Sequence, residues 1–104
     1  MAWLFLAAAI AAEVSGTLSL RMAALGHRAY YAVVVAGYAA AFVLLALTLD
    51  RGLALGVAYG IWAASGVALT AIASKVLFGE PLTPVMLAGI ALIMTGVLVV
   101  ELGA

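Results

Sequence analysis

The sequence predicts an all-α integral membrane protein with four transmembrane helices. Three observations indicate this class: the composition, four long apolar runs and the short connections between them. Of the 104 residues, 70% are hydrophobic and only 8% are charged, whereas a soluble globular domain is about half apolar and a quarter charged. A chain this short cannot hide so much apolar surface in a core that faces water. Lipid is therefore the expected solvent.

The composition also argues against several other classes of function. The formal net charge is zero, so we expect no basic patch and no binding of nucleic acid. The chain has no cysteine, which excludes disulfides and thiolate metal sites. It has no glycine-rich phosphate loop with its lysine, so no nucleotide site is expected. We predict that the chain is not an enzyme and needs no cofactor or metal.

Each of the four apolar runs is long enough to cross a membrane, which takes about 20 residues in a helix. Charged residues or turn residues close each run, and Pro84 suits the first turn of the last helix. We predict a single four-helix transmembrane domain over residues 1–104, with helices at about 2–21, 29–49, 53–78 and 84–101.

The first apolar run could be mistaken for a cleaved secretory signal. It lacks a positively charged leading segment, and Glu13 would lie inside its apolar centre. Three further apolar runs follow it. We therefore expect the run to remain as the first helix of a multi-pass protein.

The positive residues give only a weak prediction of orientation. Lysine and arginine accumulate on the cytoplasmic side of membrane proteins. Arg21, Arg28 and Lys75 lie in or near the first and third connections, and Arg51 alone lies on the opposite side. This bias favours one orientation with the first connection in the cytoplasm. Insertion in both orientations is the alternative.

Glu13, near the centre of the first helix, is the main functional signal. A charged side chain there costs about 2.5–3.5 kcal/mol on insertion scales, and such residues usually face the bundle interior and bind ions, protons or substrate. The residues on its helical face are small or apolar and leave room beside the carboxyl group: Leu6, Ala9, Ile10, Gly16, Thr17 and Leu20. The alternative is a glutamate that only forms a hydrogen bond to a neighbouring helix.

Tyr59 and Trp62 are three residues apart, so both rings lie on one face of the third helix, which Ser65 and Gly66 continue. Aromatic faces attract organic cations, and tryptophan does so most strongly. Both rings could instead anchor the helix at the membrane interface. That explanation is weaker for Trp62, because it lies in the middle of its span.

Two further aromatic residues and a pair of glycines complete the candidates. Tyr38 lies near the middle of the second helix, where its hydroxyl group needs a partner; Glu13 or ordinary packing could account for it. Trp3, near the start of the first helix, is predicted to be an interface anchor, with ligand contact as the alternative. Gly89 and Gly96 share a face of the fourth helix, where small residues allow close helix contact.

Together these motifs resemble the small multidrug resistance transporters over essentially the whole chain. The matching segments are Ala12-Glu13-Val14-Ser15-Gly16-Thr17 with Arg21, Gly56-Val57-Ala58-Tyr59-Gly60-Ile61-Trp62, Phe78-Gly79-Glu80, and Gly89 with Gly96. The resemblance implies an antiparallel dimer in a prokaryotic cell membrane that exchanges protons for substrate. It also implies that Glu13 binds both the proton and a cationic substrate.

The resemblance assigns roles to the other candidates. The chamber would be lined by Tyr59, Trp62, Tyr38 and Trp3, with support from Gly16, Thr17 and Ser65. Gly89 and Gly96 would form the dimer contact. The run from Glu13 to Thr17, together with Tyr38, resembles the branch that exports quaternary ammonium and other lipophilic cations. The guanidinium-exporting branch typically has a tryptophan where this chain has Gly16.

We therefore predict a proton-coupled antiporter for lipophilic cations that forms a homodimer surrounded by membrane lipid. Three alternatives remain open at this point. The chain could export guanidinium-type ions, or it could be one subunit of a heterodimer. It could also be a non-transporting membrane subunit in which Glu13 is purely structural.

Overall fold

The computed structural model describes residues 1–103, and this part of the chain forms four long α-helices. They are α1 (Ala2–Ala24), α2 (Tyr30–Asp50), α3 (Leu55–Phe78) and α4 (Pro84–Leu102). All four are long and apolar enough to cross a membrane. The predicted all-α membrane fold with four spanning helices is confirmed.

Local sequence accounts for most of the helix ends. Thr83 caps α4, since its hydroxyl oxygen accepts a hydrogen bond of 3.2 Å from the backbone N–H of Met86. Pro84 follows in the first turn, as predicted. Gly79 ends α3 in the left-handed conformation, with φ of 66°.

The prediction ended the first helix at Arg21, but α1 continues to Ala24. The three added residues are methionine and two alanines, which have high helix propensity. Arg21 therefore lies in the last turn of α1, where a positive charge is favoured by the helix dipole.

The helices pack unequally. α1 makes its most extensive contact with α2 and a smaller one with α3, while α2 and α3 touch only slightly. α4 packs against α3. The core therefore lies among the first three helices, and its buried residues are Leu6, Ala9, Ala41, Leu45, Ala58, Ile61 and Trp62.

Glycine permits the close approach of α1 and α2. A Cβ atom on Gly37 would lie 3.1 Å from the carbonyl oxygen of Ala12 and 3.1 Å from the Cα of Gly16. Those distances are tighter than ordinary van der Waals contact. A side chain at position 37 would therefore push α2 away from α1, and with it Tyr38.

Two contacts join α1 to loops at its opposite ends. Arg21 Nη2 lies 3.5 Å from Glu80 Oε2 in the connection between α3 and α4. At the other end, the guanidinium carbon of Arg51 lies 5.2 Å from the centre of the Phe5 ring. Both side chains of the Arg21–Glu80 pair are nearly half exposed, so this pair contributes about 0.2–1 kcal/mol at most.

Candidate functional site

Glu13 lies halfway along α1 and is partly buried. Its Oε1 atom accepts a hydrogen bond of 3.1 Å from the hydroxyl group of Thr17, one turn further along the helix. Its Oε2 atom is buried and has no hydrogen-bond partner within residues 1–103. The carboxyl group therefore has one oxygen held by the protein and one left to bind something else.

Gly66 of α3 makes room for this carboxyl group. A Cβ atom on Gly66 would lie 3.2 Å from the carboxyl carbon of Glu13 and would overlap with Oε2. Gly66 itself is buried. The sequence placed Gly66 on the face of Tyr59 and Trp62, and the structure brings that face directly against Glu13.

Thr17 connects Glu13 to Tyr38. The Thr17 hydroxyl group lies 2.7 Å from the Tyr38 hydroxyl group and also donates to Glu13. A threonine hydroxyl carries a single hydrogen, so Tyr38 donates to Thr17 when Thr17 donates to Glu13. The sequence analysis considered Tyr38 as a direct partner of Glu13, whereas the structure places Thr17 between them.

Trp62 is the anchor of the aromatic face. It is 8% exposed, and its indole N–H donates to the backbone carbonyl oxygen of Ala9 at 3.4 Å. Trp62 lies in the middle of its span and is bound to the backbone of α1. It is therefore not placed at a membrane interface. This contact fixes the ring one helical turn from Glu13.

Two other rings lie against Trp62. The Tyr59 ring is centred 5.6 Å from the Trp62 ring and tilted by 52°. The Phe42 ring lies 5.4 Å away in an edge-to-face arrangement. Both Tyr59 and Phe42 are more than half exposed in the single chain, so their free faces are open to a ligand, to lipid or to another chain.

A small cleft of about 190 Å³ lies beside the carboxyl group. Its walls are Glu13, Trp62, Ala63 and Val67. It combines an acidic group with an aromatic ring and is otherwise apolar. A site of this kind can bind a proton on the carboxylate or an organic cation between the carboxylate and the ring.

Three predicted chamber residues lie elsewhere. Trp3 is half exposed in the first turn of α1, ten residues and therefore about 15 Å from Glu13 along the helix. Ser65 lines a groove between α3 and α4. Gly16 is buried beneath Tyr38, whose ring would lie 3.3 Å from a Cβ atom at that position. Their predicted roles in binding remain predictions.

Gly89 and Gly96 lie on a helix that is open within one chain. None of the residues of α4, Pro84–Leu102, is buried. No atom of the described chain, outside their own helix backbone and immediate neighbours, lies within 4 Å of where a Cβ atom would stand on either glycine. The predicted dimer contact is therefore accessible to another chain.

Three residues in this region were not predicted from the sequence. Gly37 was not identified as the contact that seats α2 on α1, and Phe42 was not recognised as a third ring of the aromatic face. Thr70 was also missed, although its Oγ1 atom is buried and has no hydrogen-bond partner within residues 1–103. Trp62 and Thr70 are eight residues apart, which places both on one face of α3. This spacing could have indicated Thr70 from the sequence.

Four membrane-spanning helices around an intramembrane carboxyl group and an aromatic face are typical of a small transport protein of the membrane. Comparison with known proteins gives the particular family. Residues 1–93 match the family described as Small Multidrug Resistance protein, and the chain belongs to this family.

A protein of Pseudomonas aeruginosa strain PAO1 described as a multidrug transporter is 43% identical over 101 residues. That alignment covers 96% of this chain and 91% of the relative. The chain is accordingly a small multidrug transporter and not an enzyme. It is a multi-pass integral protein of the prokaryotic cell membrane, and its family functions as dimers.

Proposed function

We propose that this protein is a proton-coupled antiporter that exports lipophilic organic cations, including quaternary ammonium compounds. In this function the proton and the cation compete for Glu13. One observation supports it most directly: the Glu13 carboxyl group borders a cleft and has one oxygen held by Thr17 and one oxygen without a partner among residues 1–103.

The unpartnered oxygen explains why two positive species would compete. An ionised carboxylate in a low-dielectric site is costly unless a positive charge or a proton compensates it. A proton on Oε2 removes the charge, whereas an organic cation balances it. Both cannot neutralise the same charge, so binding of one favours release of the other. If the chamber opens to one membrane side at a time, this competition is enough to couple their movements.

The aromatic face supports a lipophilic cation as the substrate. The ring of Trp62 is held in place by its bond to Ala9, and Tyr59 and Phe42 extend the aromatic surface away from Glu13. Such a surface can contact a cation through its π-electrons and the rest of the substrate through apolar contact.

The position of Gly16 supports the same branch. Its Cα lies so close to Tyr38 that even a methyl group there would touch the tyrosine ring at 3.3 Å. A tryptophan at this position, typical of the guanidinium branch, would displace Tyr38. We therefore favour lipophilic cations over guanidinium ions.

The size of the cleft supports assembly into a dimer. Ligand pockets usually enclose about 300–1,000 Å³, whereas the cleft beside Glu13 measures about 190 Å³ in one chain. A second copy in antiparallel orientation would complete the walls and bring two Glu13 carboxyl groups to one chamber.

The decisive experiment is reconstitution of the purified chain alone in liposomes. A pH gradient should drive accumulation of a fluorescent lipophilic cation. The affinity for tetraphenylphosphonium, a permanent cation, should rise with pH and level off once Glu13 has lost its proton, and binding should release protons.

Glu13→Gln should abolish both proton release and gradient-driven accumulation, because it keeps the shape of the side chain but removes its titration. Glu101→Gln, at the end of α4, is the matched control and should behave as wild type. Accumulation by Glu13→Gln at the wild-type rate would show that Glu13 is structural and that the proposed antiport is wrong.

A further inference from the structure

The hydroxyl group of Thr70 is buried without a hydrogen bond in the described part of the chain, unlike three other hydroxyl groups in the membrane helices. In Ser15, Thr48 and Thr95 the side-chain oxygen donates to the carbonyl oxygen four residues earlier, at 2.8–2.9 Å. This bond within the helix satisfies a hydroxyl group in an apolar environment. Thr70 Oγ1 is buried and has no such bond, nor any other partner within residues 1–103.

The contacts between α1 and α3 place Thr70 relative to Glu13. Trp62 lies against Ala9, and Gly66 lies against Glu13. In both pairs the residues are 53 positions apart, so the two helices run in the same direction in one register. One turn further along, the same register brings Thr70 to the level of Thr17.

The hydrogen-bonding capacity of Thr17 is also incomplete. A threonine hydroxyl has one donor and two acceptor positions. Thr17 donates to Glu13 and accepts from Tyr38, which leaves one acceptor position free. Thr70 lies at the same level but beyond hydrogen-bonding distance of Thr17. A water molecule between them would satisfy both hydroxyl groups.

We propose that Thr70 is a positioning residue for proton transfer. Together with Thr17 and Tyr38 it holds water one helical turn from Glu13, on the side of the Arg21–Glu80 pair. The inference rests on the proposed function, because it supplies the route by which the Glu13 proton reaches that membrane face. Within residues 1–103 no hydrogen bond accounts for the burial of the Thr70 hydroxyl group.

The completed relay leaves each hydroxyl group and the water with the same number of hydrogens as before. The O–H bond of protonated Glu13 breaks as a neighbouring oxygen takes up the proton. That oxygen releases its own proton to the next oxygen along the seam between α1 and α3. At the end Glu13 is a carboxylate and one proton has reached the membrane surface.

The polar and charged groups along the seam between α1 and α3 are consistent with movement of the proton from Glu13 toward the membrane surface. Glu13 and Tyr38 lie at its inner end, and the Arg21–Glu80 pair lies at its outer end beside the third connection. Lys75 is in the last turn of α3 on the same side. The groove between α3 and α4, on another face of α3, is lined by apolar residues and Ser65.

Thr70→Val tests the inference, because valine keeps the shape of threonine and removes the hydroxyl group. Stopped-flow measurements with a pH indicator should show proton release on addition of tetraphenylphosphonium. Release should be about fivefold slower in Thr70→Val, which corresponds to the ~1 kcal/mol of one hydrogen bond. Equilibrium affinity for tetraphenylphosphonium should not change, since this cation has no hydrogen to donate. Thr70→Ser should restore the rate.

Thr48→Val is the matched control, because Thr48 is fully buried but its hydroxyl group is bonded within its own helix. It should release protons at the wild-type rate. Release by Thr70→Val at the wild-type rate would overturn the relay, as would weakened tetraphenylphosphonium binding that Thr70→Ser fails to restore. Neither result would affect the proposed antiport, which fails only if Glu13→Gln still couples transport to protons.

Discussion

The seam between α1 and α3 and the surface of α4 have opposite character. The seam contains Glu13, Trp62 and Thr70 and carries polar groups, of which the Glu13 Oε1 atom and the Trp62 indole are hydrogen-bonded. On α4 no residue of Pro84–Leu102 is buried, and its surface is mostly apolar. One chain thus carries the chemical groups of the site in its first three helices. The fourth helix is available to hold two chains together.

The largest effect is expected from a substitution on the surface of α4. Gly96→Leu should disrupt contact between chains, because the new side chain would occupy the space through which α4 approaches its partner. Gradient-driven transport and dimer cross-linking should both be lost. Ala91→Leu, on another face of α4, should keep both. Equal tolerance of the two substitutions would remove α4 from the interface.

The next largest effect is expected from a substitution in the seam between α1 and α3. Gly66→Ala should displace the flexible end of Glu13 rather than unfold the protein, since the three atoms nearest to the new methyl group all belong to the Glu13 carboxyl group. Loss of the bond from Thr17 should weaken tetraphenylphosphonium binding about tenfold, by the ~1.5 kcal/mol of a hydrogen bond to a charged group. Isothermal titration calorimetry measures this directly.

Gly56→Ala is the control for the seam, because a Cβ atom there meets no atom of residues 1–103 within 4 Å, apart from its own helix backbone and its two neighbours in the chain. It should bind tetraphenylphosphonium as wild type does. If both variants bind equally well, Gly66 is not needed to position Glu13.

A smaller effect should follow from the aromatic face. Trp62→Ala should weaken tetraphenylphosphonium binding by about 1–2 kcal/mol if the ring contacts a desolvated cation. Trp62→Phe retains an aromatic ring but loses the bond to Ala9, so its affinity should be intermediate. Tighter binding of guanidinium than of tetraphenylphosphonium by the wild-type protein would contradict the assignment to lipophilic cations.

The smallest effect is expected at the membrane surface. Glu80→Gln should break the pair with Arg21 and lower thermal stability by at most about 1 kcal/mol, because both groups are partly solvated. High salt should remove the difference between variant and wild type. A larger loss would mean that the pair holds α1 and the third connection together more firmly than its exposure indicates.

Hydropathy was sufficient to predict the fold class and the position of Glu13 within it. A helix in lipid must satisfy its own backbone, so long apolar runs leave few alternatives. The end of α1 was predicted three residues early, because Arg21 was taken as the boundary although helix-forming residues follow it.

The neighbours of Glu13 could be predicted only in part. Periodicity placed Tyr59, Trp62 and Gly66 on one face of α3, but it did not show which residue would meet the carboxyl group. That contact depends on the offset of 53 positions between α1 and α3, which is set by packing between distant segments. For the same reason the sequence did not show that Ser65, one position from Gly66, lines the groove beside α4; its predicted role in the chamber remains a prediction.

The lack of burial on α4 has a consequence for cells that make little of this protein. α4 packs against α3 but has no buried residue, so most of its surface is left for pairing, and pairing is an equilibrium separate from the folding of one chain. Where chains are sparse in the membrane, the number of pairs depends on the square of their surface density. Halving synthesis would then lower export capacity to roughly a quarter. Resistance conferred by such a protein should therefore fall more steeply than in proportion to its expression level.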